Sequence, residues 1–252
     1  MSHRRPLRIV FLSSDDAHQQ YLAAQVHERF DLVALVVEPA SSQRKRLLRE
    51  RKFIDWTAAT YHAWRRRLLG LNAYRKRYFA LPTGAPIWPP VQTINVDWIN
   101  DPAVVQLLRE ITPDICLLMC TSILRKPVLE AAGTIVNIHG GFLPYYRGNH
   151  CFFFALYHGA IDRIGSTIHF VDEGVDTGDI IEHVIPTIYP DDNAEKLYCR
   201  AEKLAIHRLM QLLEGLQNGV ELPRRPQPPG GKQYYTRDRT PLHDILHPRM
   251  GE

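Results

Sequence analysis

Two short segments of the chain concentrate the side chains that could carry out chemistry. In the first, Asn137 and His139 are separated by a single residue at the end of an apolar run, and Gly140 and Gly141 follow them. The glycines predict a sharp turn, so that a strand delivers both polar side chains to one loop. In the second, Asp176 lies in a Gly-Val-Asp-Thr-Gly turn after another β-branched run. An amide donor, an imidazole and a carboxylate together can stabilise an oxyanion and move a proton.

The remainder of the chain predicts an α/β sheet that would position these two segments. An apolar run over residues 7–13 predicts a first strand, and a helix over 17–30 and a second strand over 32–37 follow it. This strand–helix–strand spacing favours a mostly parallel sheet flanked by helices. The same patterns predict strands at 114–119, 134–138, 165–171 and 180–186, and helices at 101–110, 151–158, 194–216 and from Pro127 onward. No Gly-x-Gly-x-x-Gly motif follows the first strand, so a dinucleotide site is not indicated.

Residues 40–85, which we call the basic segment, interrupt this alternating pattern. Between Arg44 and Arg77 there are twelve Lys/Arg and two acids, a local net charge of +10 in a chain whose total is +4. The segment is helix-forming and rich in aromatic residues that need burial, which predicts an insertion packed on the domain. Such a charge run is usually a solvated helical face, and the functional alternative is a site for the phosphates of a nucleotide-linked substrate or of RNA.

Length and composition predict an ordinary globular protein. The 252 residues are 45% hydrophobic and 23% charged, which suits a domain with a substantial core, here residues 1–219, and a Pro-rich extension, 220–252. No apolar run is long enough to span a bilayer, and no small-residue cleavage site follows Met1, which argues against a signal peptide. The four cysteines lack Cys-x-x-Cys spacing, so we expect reduced thiols in a cytoplasmic protein, with Cys116 and Cys120 buried.

The order and spacing of the motifs resemble the formyltransferases that use 10-formyltetrahydrofolate. The shared elements are Asn-x-His at 137–139, Leu-Pro-x-Tyr-Arg-Gly at 143–148 and Thr-x-His-x-Val-x-x-x-x-Asp-Thr-Gly-Asp at 167–179. The resemblance extends over about residues 111–188 and less clearly over 7–39. It implies a Rossmann-like formyltransferase fold, N10-formyltetrahydrofolate as co-substrate and no metal.

The same resemblance implies a role for each motif residue. Asn137 and His139 would stabilise the oxyanion, His139 would move the proton, and Asp176 would be the catalytic carboxylate. The folate would be bound by Ser122, Ile123, Leu124, Val171, Asp172, Glu173 and Gly174. The acceptor would be bound by Gly140, Gly141, Tyr146, Arg147 and His169. Structural alternatives stay open for several of these: Arg147 could fold the loop by pairing with an acid such as Asp179, and His169 and the apolar residues could be core packing.

The wording of residues 140–149 is most similar to enzymes that formylate amino sugars on nucleotide carriers, as in lipopolysaccharide O-antigen synthesis. The resemblance therefore implies a nucleotide-linked amino sugar as the small-molecule partner, with neither membrane nor nucleic acid involved and a homodimer left open. Glycinamide ribonucleotide, a hydroxylamino acid and methionyl-tRNA are alternative acceptors, although a 33-residue tail is short for the additional barrel-like domain of methionyl-tRNA formyltransferases.

Two hypotheses from other classes also stay open. A non-catalytic RNA-binding module would use the basic segment and would bind RNA in a salt-sensitive manner. A metal-dependent hydrolase would use His139, His150 and Asp176 as ligands, although their spacing matches no dedicated metal motif.

Overall fold

The protein is built from β-strands and α-helices that alternate along most of the chain, and its computed structural model describes residues 5–246. The strands are β1 (Arg8–Ser13), β2 (Asp31–Val37), β3 (Gln92–Asn95), β4 (Ile115–Met119), β5 (Ile135–His139), β6 (Tyr146–Gly148), β7 (Ser166–Phe170), β8 (Ile180–Val184) and β9 (Lys232–Tyr234). The α-helices are α1 (Ala17–Arg29), α2 (Ala40–Arg49), α3 (Phe53–Leu68), α4 (Leu71–Tyr78), α5 (Pro102–Ile111), α6 (Lys126–Ala132), α7 (Cys151–Tyr157), α8 (Ala194–Gln217) and α9 (Pro241–Leu246). The prediction about a signal peptide concerns a terminus whose first four residues lie outside the described part, and so do residues 247–252 of the extension.

Seven of these strands form one sheet in the order β3-β2-β1-β4-β5-β7-β8. Strands β1 to β5 are parallel to one another, and β7 is antiparallel to both of its neighbours, β5 and β8. The predicted mostly parallel, Rossmann-like sheet is confirmed. From β1 the chain adds β2 and β3 on one side, whereas β4 and β5 lie on the other side, so the strand order reverses between the neighbours β1 and β4. In open α/β sheets, ligands bind at the carboxyl ends of the strands that flank such a reversal.

Both faces of the sheet are buried, which explains why its strands are near-continuous apolar runs. Along β1 the side chains alternate between the faces. Ile9 and Phe11 belong to a core covered by α1 and α8, whereas Val10 and Leu12 belong to a core covered by α5 and α6. Strand β3 was not predicted, because its four residues are polar or partly exposed and lie at the sheet edge.

The basic segment folds as helices α2, α3 and α4 and is attached to the domain by ion pairs. Arg46 pairs with Glu38, Arg65 with Asp244, and both Arg66 and Arg75 with Asp16. Part of the positive charge is thus internal. Exposed cations that pair with no carboxylate of residues 5–246 include Arg67, Lys76 and Arg77.

The expectation that the aromatic residues of the basic segment are buried is only partly correct. Phe79 is fully buried, and Tyr74 and Tyr78 pack against the core. Trp64, by contrast, is 59% exposed. Helix α3 turns its His62 side inward, so the side that carries Trp64 faces outward.

The Pro-rich extension packs on the domain. Its strand β9 pairs in parallel with β6, and Arg225 forms a bridge with Ile180 on β8. The extension therefore holds the segment around β6 through this strand pairing. The prediction that Cys116 is buried is confirmed, but Cys120, which follows β4 with φ 61°, is exposed. No helix within residues 5–246 is long and apolar enough to cross a membrane.

Candidate active site

Strand β5 carries two of the predicted catalytic residues on one face. Asn137 and His139 are two residues apart in the strand, so their side chains point to the same side. The strand includes His139, one residue beyond the predicted end. In the antiparallel partner β7, His169 lies directly opposite Asn137. The Nδ2 atom of Asn137 lies 3.1 Å from Nε2 of His169.

Asp176 completes this group from the turn between β7 and β8. Its Oδ2 atom lies 3.4 Å from Nδ1 of His139, and its Oδ1 atom lies 3.6 Å from Nε2 of His169. The backbone N–H of Gly148 donates to Oδ2 at 2.8 Å. Asp176 has a left-handed backbone with φ 53°, a conformation that Asp adopts more readily than most residues. The three predicted catalytic residues therefore meet, and His169 joins them.

The hydrogen-bond partners of the two histidines indicate where their protons lie. Nε2 of His139 lies 2.8 Å from the carbonyl of Tyr146, an acceptor only, so Nε2 carries a proton and Nδ1 faces Asp176. Nδ1 of His169 lies 2.6 Å from the carbonyl of Phe170. His169 therefore carries its proton on Nδ1, and its Nε2 accepts a hydrogen bond from the amide of Asn137.

Burial and charge set the protonation of the pair in opposite directions. Burial lowers the pKa of His139, and the neighbouring Asp176 carboxylate limits that fall. For Asp176, burial alone would raise the pKa, but the neighbouring imidazoles of His139 and His169 and the Gly148 N–H hold the pKa well below its usual range. The site thus holds an ionised carboxylate against an imidazole that can gain a proton.

Gly140 and Gly141 are required by close packing. The N–H of Gly141 bonds to the carbonyl of His139 at 2.9 Å, which is the predicted tight turn. A Cβ atom at Gly141 would lie 2.5 Å from Nε2 of His139 and 2.6 Å from the carbonyl oxygen of Tyr146. A Cβ atom at Gly140 would lie 2.6 Å from the ring of Tyr198. Neither glycine has a positive φ, so it is the missing side chain that the site needs.

Comparison with known proteins identifies the fold and the family together. The family model described as formyl transferase matches residues 7–213. This chain belongs to the formyl transferase family. The resemblance found in the sequence is therefore confirmed.

Individual formyltransferases share the fold at modest identity. A methionyl-tRNA formyltransferase from Desulfotalea psychrophila is 27% identical over 221 residues, which cover 87% of this chain and 59% of that relative. The chain thus spans well under two thirds of that relative's length. The glycinamide ribonucleotide transformylase 1 of Symbiobacterium toebii aligns with a TM-score of 0.58 at 21% identity and covers 90% of this chain and 95% of its own. A sugar N-formyltransferase from Shewanella sp. aligns with a TM-score of 0.57 at 15% identity and covers 90% of this chain and 76% of its own.

Two of the residues predicted to bind the acceptor contact this chain's own backbone and rings. The Tyr146 ring is buried and stacks on Tyr234 at 5.8 Å between centroids, and His139 contacts the Tyr146 backbone carbonyl. Arg147 donates to the carbonyl of Pro144 at 3.3 Å and to the carbonyl of Gly230. The alternative pairing of Arg147 with Asp179 is wrong, because Asp179 accepts from Arg224. These contacts join β6 to the C-terminal extension.

The residues predicted to bind the folate occupy two loops of the formyltransferase fold. In the first, Leu124 is buried in the core beneath α5 and α6, whereas Ile123 is 62% exposed. In the second, Val171 packs partly against the same core. The two loops therefore flank the same face of the sheet. Ile123 presents an apolar surface there, and Leu124 fits the alternative of core packing.

Polar groups in both loops are engaged within the protein. The Asp172 carboxylate accepts the N–H of Gly174 at 3.0 Å, and Glu173 is exposed. Ser122 contacts Glu38 and Arg46. Glu38 and Arg46 were missed in the sequence, where the one available signal is an acid that directly follows the buried strand β2. Within residues 5–246, no group of three or more His, Cys, Asp and Glu side chains is arranged to hold a metal ion, and His139, His150 and Asp176 form no such group.

Proposed function

We propose that this formyltransferase moves the formyl group of 10-formyltetrahydrofolate to the amine of a nucleotide-linked amino sugar. The observation that carries the proposal is the convergence of Asn137, His139 and Asp176, with Asp176 3.4 Å from His139. Formyl transfer needs a donor for a developing oxyanion and a group that takes up an amine proton, and these side chains are the groups suited to both tasks.

Asn137 is the donor to the oxyanion in this proposal. One hydrogen of its amide goes to Nε2 of His169, 3.1 Å away. That bond fixes the plane of the amide and orients the second hydrogen for the formyl oxygen. Loss of one such preorganised donor costs about 3 kcal/mol of transition-state stabilisation in other acyl-transfer sites.

His139 takes up the proton that the attacking amine loses and passes it to the folate nitrogen as the bond from that nitrogen to the formyl carbon breaks. With the Nε2 proton held by the Tyr146 carbonyl, Nδ1 is the basic nitrogen. The imidazolium that forms is then paired with the Asp176 carboxylate at 3.4 Å. Because the pKa of His139 is lowered, the ring is neutral near neutral pH and is free to accept a proton.

The folate side of the site rests on the 120–125 loop and on residues 171–174. Ile123 offers an exposed apolar side chain at the tip of the first loop, which the flat pteridine of the donor would cover. Backbone groups of Leu124 and the second loop would take the polar edge of the ring. When bound, 10-formyltetrahydrofolate would supply an activated formyl carbon.

The acceptor assignment rests on charge and aromatic surface in the basic segment. Arg67, Lys76 and Arg77 are exposed and unpaired among the described residues, and such cations bind diphosphate. Trp64 on the same segment is exposed and could stack on a nucleotide base. A sugar N-formyltransferase also shares the fold.

Methionyl-tRNA is the second candidate acceptor. The sequence relatives favour it, since the formyltransferase from Desulfotalea psychrophila carries that name and aligns over 87% of this chain. The unpaired cations of the basic segment would then meet RNA phosphates, and the affinity would fall steeply with salt. A non-catalytic RNA-binding module would show the same salt dependence without turnover.

A folate-release assay separates these proposals. Purified protein is incubated with 10-formyltetrahydrofolate and, in turn, a panel of nucleotide-linked amino sugars, glycinamide ribonucleotide and methionyl-tRNA. Turnover with one nucleotide sugar, abolished by His139→Ala, supports the proposed function. Turnover with methionyl-tRNA alone would contradict the proposed acceptor but support the proposed formyl transfer. RNA binding without turnover of any acceptor, or the absence of folate binding, contradicts the proposal of formyl transfer.

A further inference from the structure

A fully buried carboxylate lies behind the loop predicted to bind the folate. Glu38 follows strand β2 directly and has 0% exposure. Its Oε2 atom accepts the backbone N–H of Ser122 at 2.7 Å, and its Oε1 atom accepts the Ser122 hydroxyl at 2.9 Å. One side chain thus fixes both the backbone and the rotamer of a residue in the 120–125 loop.

The counter-ion of this carboxylate comes from the basic segment. Arg46 on helix α2 donates to Oε1 of Glu38 at 2.6 Å and also to the hydroxyl of Ser122. A charge at this depth is tolerated only when it is paired and hydrogen-bonded. Arg46, Glu38 and Ser122 therefore form a closed triangle in which each side chain contacts the other two.

Two further side chains hold the remainder of the 120–125 loop. Gln43, also on α2, donates to the carbonyl of Cys120 at 3.1 Å. Asn100 donates to the carbonyl of Ile123 at 3.0 Å and accepts the N–H of Arg125 at 2.6 Å. The loop is thus held along its length while the Ile123 side chain stays exposed at its tip.

Helix α2 has an inner and an outer side, and its polar residues are divided between them. Gln43 and Arg46 are one turn apart and point to the loop. Lys45 and Arg49 are exposed and form no ion pair with any described carboxylate. The two kinds of cation on one helix provide a matched comparison.

We propose that Glu38, Gln43 and Arg46 are positioning residues that preorganise the 120–125 loop for the folate, so that the basic segment sets the affinity for the formyl donor. This inference rests on the proposed function, since it assigns the loop to the folate. A held loop loses little conformational freedom when the ligand binds, whereas a loosened loop must be ordered at the expense of affinity.

The test measures donor binding and turnover separately. The double variant Glu38→Gln/Arg46→Met removes both charges together, so that neither is left buried and unpaired. We expect the dissociation constant for 5-formyltetrahydrofolate, measured by isothermal titration calorimetry, to rise about tenfold or more. A tenfold rise corresponds to a loss of about 1.4 kcal/mol of binding free energy. KM for 10-formyltetrahydrofolate rises in parallel, while kcat at saturating donor stays within about twofold because the catalytic group is unchanged.

Lys45→Met is the matched control, since it removes a cation from the outer side of the same helix. It should bind the folate as the wild type does. Equal folate affinity in the double variant and the wild type would overturn the positioning role and leave the proposed function intact. Failure of the wild type itself to bind 5-formyltetrahydrofolate would instead contradict the proposed function, and this inference with it.

A second variant keeps the test independent of folding. Gln43→Ala removes one hydrogen bond to the loop from an incompletely buried position and leaves the ion pair in place. We expect its folate dissociation constant to rise about two- to tenfold, the range for one lost hydrogen bond, with unchanged kcat. If the double variant does not fold, an unaltered dissociation constant in Gln43→Ala overturns the proposal.

Discussion

Nδ1 of His139 lies 3.4 Å from Oδ2 of Asp176, while the opposite nitrogen of the ring is held 2.8 Å from the carbonyl of Tyr146. The backbone contact fixes the tautomer and leaves the basic nitrogen facing a carboxylate. A neutral ring in this position has its lone pair directed at a negative charge, and a protonated ring makes an ion pair. The carboxylate therefore stabilises the imidazolium that the proposed reaction produces.

Replacement of the carboxylate should affect turnover more than binding. In Asp176→Asn the imidazolium of His139 loses its ion pair, so we expect kcat to fall by about 10²- to 10⁴-fold, the usual contribution of a group in general acid–base catalysis. The measurement is the rate of tetrahydrofolate release at saturating substrates. Asp179→Asn is the control, because that carboxylate pairs with Arg224 on the surface. A kcat for Asp176→Asn equal to that of the control would remove Asp176 from the mechanism.

The pH dependence of kcat/KM should report the lowered pKa of His139. Burial shifts that pKa downward, so the rate should rise with pH along a limb that lies below about 6.5, the ordinary value for histidine. Asp176 opposes the shift, and its removal should move the limb to still lower pH. Initial rates of the wild type and of Asp176→Asn, measured from about pH 5 to about pH 8, give the position of the limb in each protein. A rate that falls as the pH rises through this range would instead show that His139 acts in its charged form.

The strands could be predicted from the sequence because burial on both faces produces unbroken apolar runs, as in β1 and β4. Strands β3, β6 and β9 could not, since β3 lies at an exposed edge and β6 and β9 have only three residues each. Asn137, His139 and Asp176 were predicted together because a family spacing links them. Their meeting in space is a result of the structure alone.

Other parts of the site depend on contacts between distant residues, which no local pattern reveals. Glu38 and Ser122 are separated by 84 positions, and Arg147 and Gly230 by 83. Arg147 carries a family motif, yet its contacts tie the loop to the extension. The net charge of the basic segment does not distinguish Arg46, which pairs with Glu38, from Lys45, which pairs with no carboxylate of residues 5–246.

His169 should act on turnover through Asn137. Its Nε2 atom holds the Asn137 amide at 3.1 Å, and its own ring is fixed by the carbonyl of Phe170. In His169→Leu the amide loses its partner, so we expect kcat to fall about tenfold or more, against about 10²- to 10³-fold for Asn137→Ala, which removes the donor itself. Steady-state kinetics on both variants check this order. His207→Leu, at an exposed helix position, serves as control, and a larger loss in His169→Leu than in Asn137→Ala would contradict the assignment.

Addition of one methyl group at Gly141 should disable the site. The new Cβ atom would lie 2.5 Å from Nε2 of His139, so the ring must leave the Tyr146 carbonyl and lose its orientation. We expect kcat to fall by about 10²-fold, a typical result of misplacement near the reacting groups. In Gly215→Ala, within helix α8, the nearest atom is 3.7 Å away, and stability should instead rise by up to about 1 kcal/mol. Activity near wild type in Gly141→Ala would contradict the packing argument.

A second buried acid, outside the catalytic group, should make stability depend on pH. Glu202 on helix α8 is almost fully buried and accepts the Ser166 hydroxyl at 2.7 Å. Burial raises the pKa of Glu202 to about 7, and the Ser166 bond and the Arg75 charge only partly oppose this. The folded protein therefore holds a proton on Glu202 that the unfolded chain releases at an ordinary carboxyl pKa of about 4.3.

Replacement of Glu202 by Gln should therefore stabilise the protein as the pH rises. The favourable contribution of the protonated acid is fully present below about 4.3, the unfolded pKa, and it is lost as the pH rises through the folded value of about 7. Gln keeps an acceptor for Ser166 and does not ionise. The difference in unfolding free energy between Glu202→Gln and the wild type should thus grow in favour of the variant by up to about 3 kcal/mol between about pH 4.5 and about pH 8. Urea denaturation at both pH values measures it, and buried neutral histidines common to both proteins, such as His18 and His62, cancel in the difference. Glu214→Gln, at an exposed position of the same helix, should show no such growth. A constant difference for Glu202→Gln would mean that Glu202 is ionised in the folded protein.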